Sequence, residues 1–276
     1  MGRGLILSLG VGWLVSGIIF FFAFNWDKLH PFVKMGLMQC IFLLFTLLAW
    51  KSRFSPLVKN ILLTGAAVLV GVLFAVFGQI YQTGANAYDF FFSWWACLLL
   101  WTIYLLFEPM WLLMVVLTNV TLAMYIEQET LALQHSWEYI PFVLLNVFFY
   151  GLISWMSSKK QVLTAPWLRH IILLWIALVL MVGFGAGLYG KYHSSFVVFT
   201  VIMIVCLLAG FWIGMRQKNI VLLVLVGLTG MIVVLLLMNH WFNNTFSFFL
   251  SGIWIVGSLS FLVSELVKIQ KKWRDE

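Results

Sequence analysis

Residues 60–81 read NILLTGAAVLVGVLFAVFGQIY, and this run decides the fold. It carries no charge. At about 1.5 Å per residue an α-helix of this length measures about 33 Å, enough to cross the roughly 30 Å hydrocarbon core of a bilayer. A helix also satisfies its backbone N–H and C=O groups within the segment, which lipid demands. Ala67, Gly71, Ala75 and Gln79 recur at every fourth residue and so share one face.

Outward from this run the chain repeats the pattern. Apolar stretches alternate with polar breaks and predict ten spans: 4–24, 31–50, 60–81, 89–107, 109–126, 139–158, 169–189, 195–215, 219–239 and 245–267. Hydrophobic residues make up 64% of the 276 and charged residues 9%, against the roughly 25% charged of an ordinary soluble domain. The fold class is therefore all-α, a polytopic transmembrane helix bundle forming a single transmembrane domain over 1–276. The longest breaks, 127–138 and 159–168, are too short to fold alone, so no soluble domain is expected. Arg3 before an apolar run resembles a signal peptide, but the run is too long and lacks a small-residue cleavage pattern, so it is expected to remain as the first span.

Basic residues set the direction, because Lys and Arg beside short loops are retained in the cytoplasm. With the N-terminus inside, Arg3, Lys51, Arg53, Lys59, Lys159, Lys160, Arg169, Arg216, Lys218, Lys268, Lys271, Lys272 and Arg274 all fall inside; only Lys28, Lys34 and Lys191 fall outside. Both termini are thus expected in the cytoplasm. Asp27, Asp89, Glu127, Glu129 and Glu138 lean outward. The net charge of +7 sits in clusters beside span ends, which points to anionic membrane lipids and away from nucleic acid. Trp26, Trp50, Trp111, Trp137, Trp155, Trp167, Trp241 and Trp273 lie near span ends, as an interfacial belt requires.

Helices in lipid associate through close backbone approach, which favours small residues. The stripe in 60–81, the pair Gly183 and Gly187, and the pair Gly210 and Gly214 have that spacing. Cys40, Cys97 and Cys206 are odd in number, without paired spacing, and read as small apolar fillers.

Two polar stretches interrupt the apolar runs: Asn25-Trp26-Asp27-Lys28-Leu29-His30-Pro31, and Gly78-Gln79-Ile80-Tyr81-Gln82-Thr83-Gly84-Ala85-Asn86-Ala87-Tyr88-Asp89. The Asn-Trp-Asp turn after an early span and the Gly-Gln-Ile-Tyr-Gln segment closing a later one, in that order, resemble the domain of unknown function 2157 family of bacterial membrane proteins. The resemblance covers about residues 1–125. It implies a bacterial inner (cytoplasmic) membrane location and supplies no activity.

Capping accounts for part of these stretches: Asn25 ends a helix, Pro31 starts one, Gly84 suits a tight turn, and Asp89 reads as the N-cap before Phe90. It does not account for Gln79, Tyr81 and Gln82, which would cost about 1–3 kcal/mol each if buried without partners. The candidate site is accordingly a polar cluster of Asn25, Trp26, Asp27, Gln79, Tyr81, Gln82 and Asp89 at the outer boundary. It would hold its members together or take a small ligand. Asn119 and Asn146 are intramembrane polar residues suited to bonding across helix interfaces. Glu265 and Lys268 form an i, i+3 pair.

The sequence carries no phosphate loop, no His-Glu-x-x-His and no Gly-x-Ser-x-Gly elbow. His30, His135, His193 and His240 lack paired spacing, so no metal site is expected, and no cofactor. No Asp, His, Lys or Arg lies near a span midplane, which argues against proton-coupled transport and intramembrane catalysis. Two classes of function remain. One is a non-enzymatic membrane component that binds lipid or a partner membrane or periplasmic protein through its outer face. The other is a permease or channel for a small neutral or amphipathic solute, lined by Thr64, Ser93, Asn119 and Thr121. A funnel from the cluster toward Asn119 and Asn146 would favour the second; Gln79 and Asp89 satisfied internally would favour the first.

Overall fold

The computed structural model describes residues 2–25, 29–51, 53–81, 84, 86–130, 136–160, 162–190, 193–242 and 245–275. Among them are ten α-helices and no strand. Nine are long and apolar enough to cross a membrane; the remaining one contributes the apolar stretch Leu5–Phe21. Large side chains such as Phe20, Leu100 and Phe248 are about three-quarters exposed, the surface of a chain whose solvent is hydrocarbon rather than water. The helices fall into two compact units, Met1–Gln128 and Glu129–Glu276.

The first unit contains α1 (Gly2–Asn25), α2 (Pro31–Trp50), α3 (Pro56–Tyr81), α4 (Ala87–Leu105) and α5 (Glu108–Thr130). The run that opened the sequence reading lies within α3, which packs on α1, α2 and α4. Val15, Met38, Phe45, Ala66, Leu69 and Val76 form one core. Ala67, Leu98, Met110, Met114 and Leu117 form a second, joining α3, α4 and α5.

Small residues are where the helices close on each other. A Cβ on Gly65 would lie 2.9 Å from the Phe45 ring of α2 and 3.1 Å from Val11 of α1. One on Gly71 would lie 2.5 Å from the Trp94 indole of α4. The bare α3 backbone thus gives Trp94 its seat, and Trp94 Nε1 donates to the Ala67 carbonyl at 2.9 Å. Along the predicted stripe Ala67 and Gly71 are buried, Ala75 is half-buried and Gln79 is exposed, so the packing face ends before the polar segment.

The second unit opens with a 3₁₀ turn, Ser136–Tyr139, followed by α6 (Ile140–Lys160), α7 (Pro166–Tyr189), α8 (His193–Arg216), α9 (Ile220–Trp241) and α10 (Thr245–Asp275). α7 is the most buried helix, packed on α6, α8 and α9, with α10 against α9. Gly183 accepts the ring of Phe199, Gly210 accepts Val226 and Gly214 accepts Leu223, so Gly183 of the predicted α7 pair and both members of the α8 pair serve helix packing, and Gly187 is buried. Trp254 Nε1 of α10 donates to the Met231 carbonyl of α9 at 3.1 Å, the same device as Trp94 on α3.

Helix boundaries agree with the predicted spans to within a few residues except at α10. That helix continues to Asp275, because Lys268, Lys271, Lys272 and Arg274 are good helix formers that need no lipid. Its 31 residues measure about 46 Å, more than the hydrocarbon core requires. Glu265 and Lys268 pair at 2.6 Å as expected. Trp50 and Trp241 are exposed as interfacial anchors should be, whereas Trp111 is buried and its indole N–H has no acceptor among the described residues. Trp111 therefore does not belong to the belt: it sits in the first turn of α5 on the face that packs inward.

Candidate functional site

The two polar stretches are brought to one end of the first unit by helix register. Val11, Phe45 and Gly65 meet at one level of α1, α2 and α3. Asn25 lies fourteen residues after Val11, Pro31 fourteen before Phe45, and Gln79 fourteen after Gly65. Because consecutive helices run in opposite directions, these three positions stand at one height, about 21 Å from the contact. On α4, Trp94 meets α3 at Gly71; Asn86 lies eight residues before Trp94 and Gln79 eight after Gly71. Leu29 and Ile80, one from each stretch, pack on the same core.

Of the candidate residues, Trp26, Asp27 and Gln82 lie outside the described residues, as does the side chain of Asn25, the last residue of α1. Gln79, Tyr81 and Asp89 are exposed. Gln79 and Tyr81 are therefore not buried between helices, as the anticipated cost assumed. The Tyr81 ring lies against Phe77, centroids 4.6 Å apart, one turn back on α3. The ring of Tyr88 packs on that of Tyr125 of α5, centroids 5.3 Å apart.

Asp89 is not an N-cap. Asn86 has the extended backbone of the cap position, the helix starts at Ala87, and Asp89 is the third helical residue, its Oδ2 accepting the Asn86 N–H at 3.0 Å. This is the returning arm of a capping box, made by an acid near the positive end of the helix dipole. Gly84 has φ +66, the left-handed conformation that glycine adopts without strain. Pro31 starts α2 as expected, but the cap is His30, whose Nδ1 accepts the Phe32 N–H at 3.4 Å. The sequence reading missed this role because histidine is not a common cap.

Two further groups escaped the sequence. Lys34, in the first turn of α2, and Glu138, in the 3₁₀ turn, are both buried and both engaged. Their positions at the edges of spans made them look like loop charges. Flanking residues gave no sign of it: Trp137, beside Glu138, is itself about half exposed, and the burial comes from α6, α7 and α8 packing on the 3₁₀ turn.

Asn119 and Asn146 are buried, and each donates from Nδ2 to the carbonyl four residues back in its own helix, Val115 and Phe142, at 2.8 Å. A cavity of about 330 Å³ lies between α1 and α3, where Ser8, Ser16 and Thr64 place hydroxyls among apolar neighbours and Phe107 and Pro109 close one side. Its α3 lining stops at Val68, eleven residues short of Gln79. Neither this cavity nor a second one, among α6 to α9, is lined by a described residue of the polar cluster, by Asn119 or by Asn146.

Residues 3–111 match the family described as "Predicted membrane protein (DUF2157)". The match spans α1 to α4 and the start of α5, and so includes both polar stretches. No curated protein and no solved structure matches the chain.

Proposed function

We propose that this protein is a non-enzymatic component of the bacterial inner membrane that engages a partner protein or lipid headgroup through the polar end of its first unit. The observation that carries this reading is the state of that end. Asp89 is committed to capping α4, while Gln79 and Tyr81 stand exposed at the level where α1, α2 and α3 turn. Exposed amide and phenol groups beside packed aromatic rings suit a recognition surface, since Tyr offers a rigid, amphipathic contact at little entropic cost.

Charge supports placing that end outside. In the first unit Lys51, Arg53 and Lys59 gather at one end, and Asp89 and Glu127 at the other. In the second unit Lys159, Arg169, Arg216 and Lys218 share one end. In either unit the basic end is the cytoplasmic one under the retention rule.

The permease reading draws on the hydroxyl-bearing cavity between α1 and α3. It is the weaker reading, because the α3 lining of that cavity ends at Val68 and no residue of the polar cluster lines it.

The test is a photo-crosslinking residue at Gln79, with one at the lipid-facing Phe21 as control. A discrete protein or lipid adduct from position 79 alone is expected. Diffuse products equal to those from Phe21, together with thermal stabilisation by a neutral solute, would replace this reading with the permease. Asp89→Ala serves as the folding control, with an expected cost of about 1 kcal/mol for the lost cap interaction.

A further inference from the structure

We infer that the second unit holds one anionic phospholipid, with part of an acyl chain in the cavity among α6, α7, α8 and α9 and the phosphate at the basic ends of those helices. This rests on residues of the second unit and is independent of the polar cluster in the first.

The cavity measures about 140 Å³ and is only partly enclosed. Leu173 and Ala177 of α7, Ala209 and Ile213 of α8 and Leu222 of α9 line it, and Val147 and Tyr150 of α6 close one side. The hydroxyl of Thr229, also at the wall, donates to Leu225 of its own helix at 2.7 Å. A polar solute entering here would give up its bonds to water and find few in exchange. Apolar cavities of about 150 Å³ stay dry and admit a small apolar molecule. In a bilayer the apolar species at hand is a hydrocarbon chain, and this volume takes part of one.

Charge selects the lipid. Each helix around the cavity ends in a base on the same side: Lys159 near the end of α6, Arg169 in the first turn of α7, Arg216 closing α8 and Lys218 in the turn before α9. Leu173 lies four residues beyond Arg169, Leu222 four beyond Lys218, and Ile213 three before Arg216. The rim therefore stands about 5–6 Å above the cavity along the helix axes. Between Glu138 and Glu265 the chain contains no Asp or Glu, so these four helices bring no carboxylate to the rim. Of the acids α10 carries at that end, Glu265 is already paired with Lys268.

Arg216 is held over the Trp212 ring, 5.2 Å to the centroid. A guanidinium placed over an aromatic ring keeps in-plane N–H donors suited to a phosphate. Basic pockets between membrane helices on the cytoplasmic side are the known setting for anionic headgroups.

The experiment uses the purified full chain, delipidated in neutral detergent, and native mass spectrometry with dioleoyl phosphatidylglycerol, dioleoyl phosphatidylcholine and glycerol 3-phosphate. One phosphatidylglycerol is expected to be retained in preference to phosphatidylcholine, without displacement by glycerol 3-phosphate. Arg169→Gln with Arg216→Gln should weaken its binding about thirtyfold. Ala209→Phe, at an exposed position on the cavity mouth, should abolish it.

A second measurement needs no rim or cavity variant. With Cys40→Ser and Cys97→Ser, alkylation of Cys206, which lines the cavity, should slow in phosphatidylglycerol relative to phosphatidylcholine. Equal retention of the two lipids, displacement by glycerol 3-phosphate, unchanged binding by the Ala209→Phe protein, or equal Cys206 alkylation in both lipids would each overturn the assignment.

Discussion

Trp94 donates its indole N–H to the main-chain carbonyl of Ala67, 2.9 Å away on the neighbouring helix, and does so over the bare backbone of Gly71. Large ring, small receiver and polar bond form one unit of packing. Gly71→Ala puts a methyl 2.5 Å from the indole and is expected to cost about 1–3 kcal/mol through overpacking. Trp94→Phe keeps most of the ring and loses the bond, for about 0.6 kcal/mol, the average of hydrogen bonds between membrane helices. Reversible unfolding in mixed micelles separates the two, and Gly71→Ala should be the larger loss.

Gly183 and Phe199 hold α7 and α8 together by the same logic without a hydrogen bond. Phe199 is fully buried, so Phe199→Ala should cost about 3–5 kcal/mol. Gly183→Ala should cost about 1–3 kcal/mol. Since the added methyl and the lost ring occupy the same space, the double variant should be more stable than the sum of the single changes implies. A double-mutant cycle reads this as a favourable coupling, and additivity would mean the two residues do not compete for that space.

The length, number and packing faces of the helices were legible because lipid leaves so few ways to satisfy a backbone; α2 was placed at 31–50 by hydropathy alone. The ends of helices were less legible. Asp89 looked like a cap because acids favour helix starts, yet an acid stabilises the third position as well as the cap, and only the extended backbone of Asn86 separates the two. Buried charge was not legible at all. Lys34 and Glu138 sit in a first turn and a 3₁₀ turn, where whether a side chain points to water or into the bundle depends on neighbouring helices and not on hydropathy. The candidate site falls between these cases: register places its two stretches at one height, and the sequence could state only that they fall on one side.

Leu106, between α4 and α5, adopts φ 44 and ψ 42. A side chain in that left-handed conformation crowds its own carbonyl, which glycine avoids. The side chain is more than one-third exposed, so little packing is lost on its removal. Leu106→Gly is expected to stabilise the protein by about 0.5–1 kcal/mol, and Leu106→Val to destabilise it, since branching at Cβ worsens the same contact. A fall in melting temperature for the glycine variant would show that lipid contact at Leu106 outweighs backbone strain.

The direction in which the helices run can be measured at two exposed positions of the first unit. Ser55 lies beside Lys51, Arg53 and Lys59, and Asn86 lies beside Asp89 at the other end; both are exposed. Carried singly in a protein with Cys40, Cys97 and Cys206 changed to Ser, Asn86→Cys should react with a membrane-impermeant maleimide on intact cells. Ser55→Cys should react only after the cells are opened. The reason is energetic: bases are retained on the cytoplasmic side, where anionic lipid attracts each by about 1 kcal/mol, and Lys51, Arg53 and Lys59 at one end of the unit outnumber Lys28 and Lys34 at the other. Moving that balance should move the topology. With Lys51, Arg53 and Lys59 changed to Gln and three Lys introduced around Asn86, the labelling of the two positions should become mixed or reverse. If it stayed unchanged, packing among α1 to α5 rather than charge would be what orients the unit.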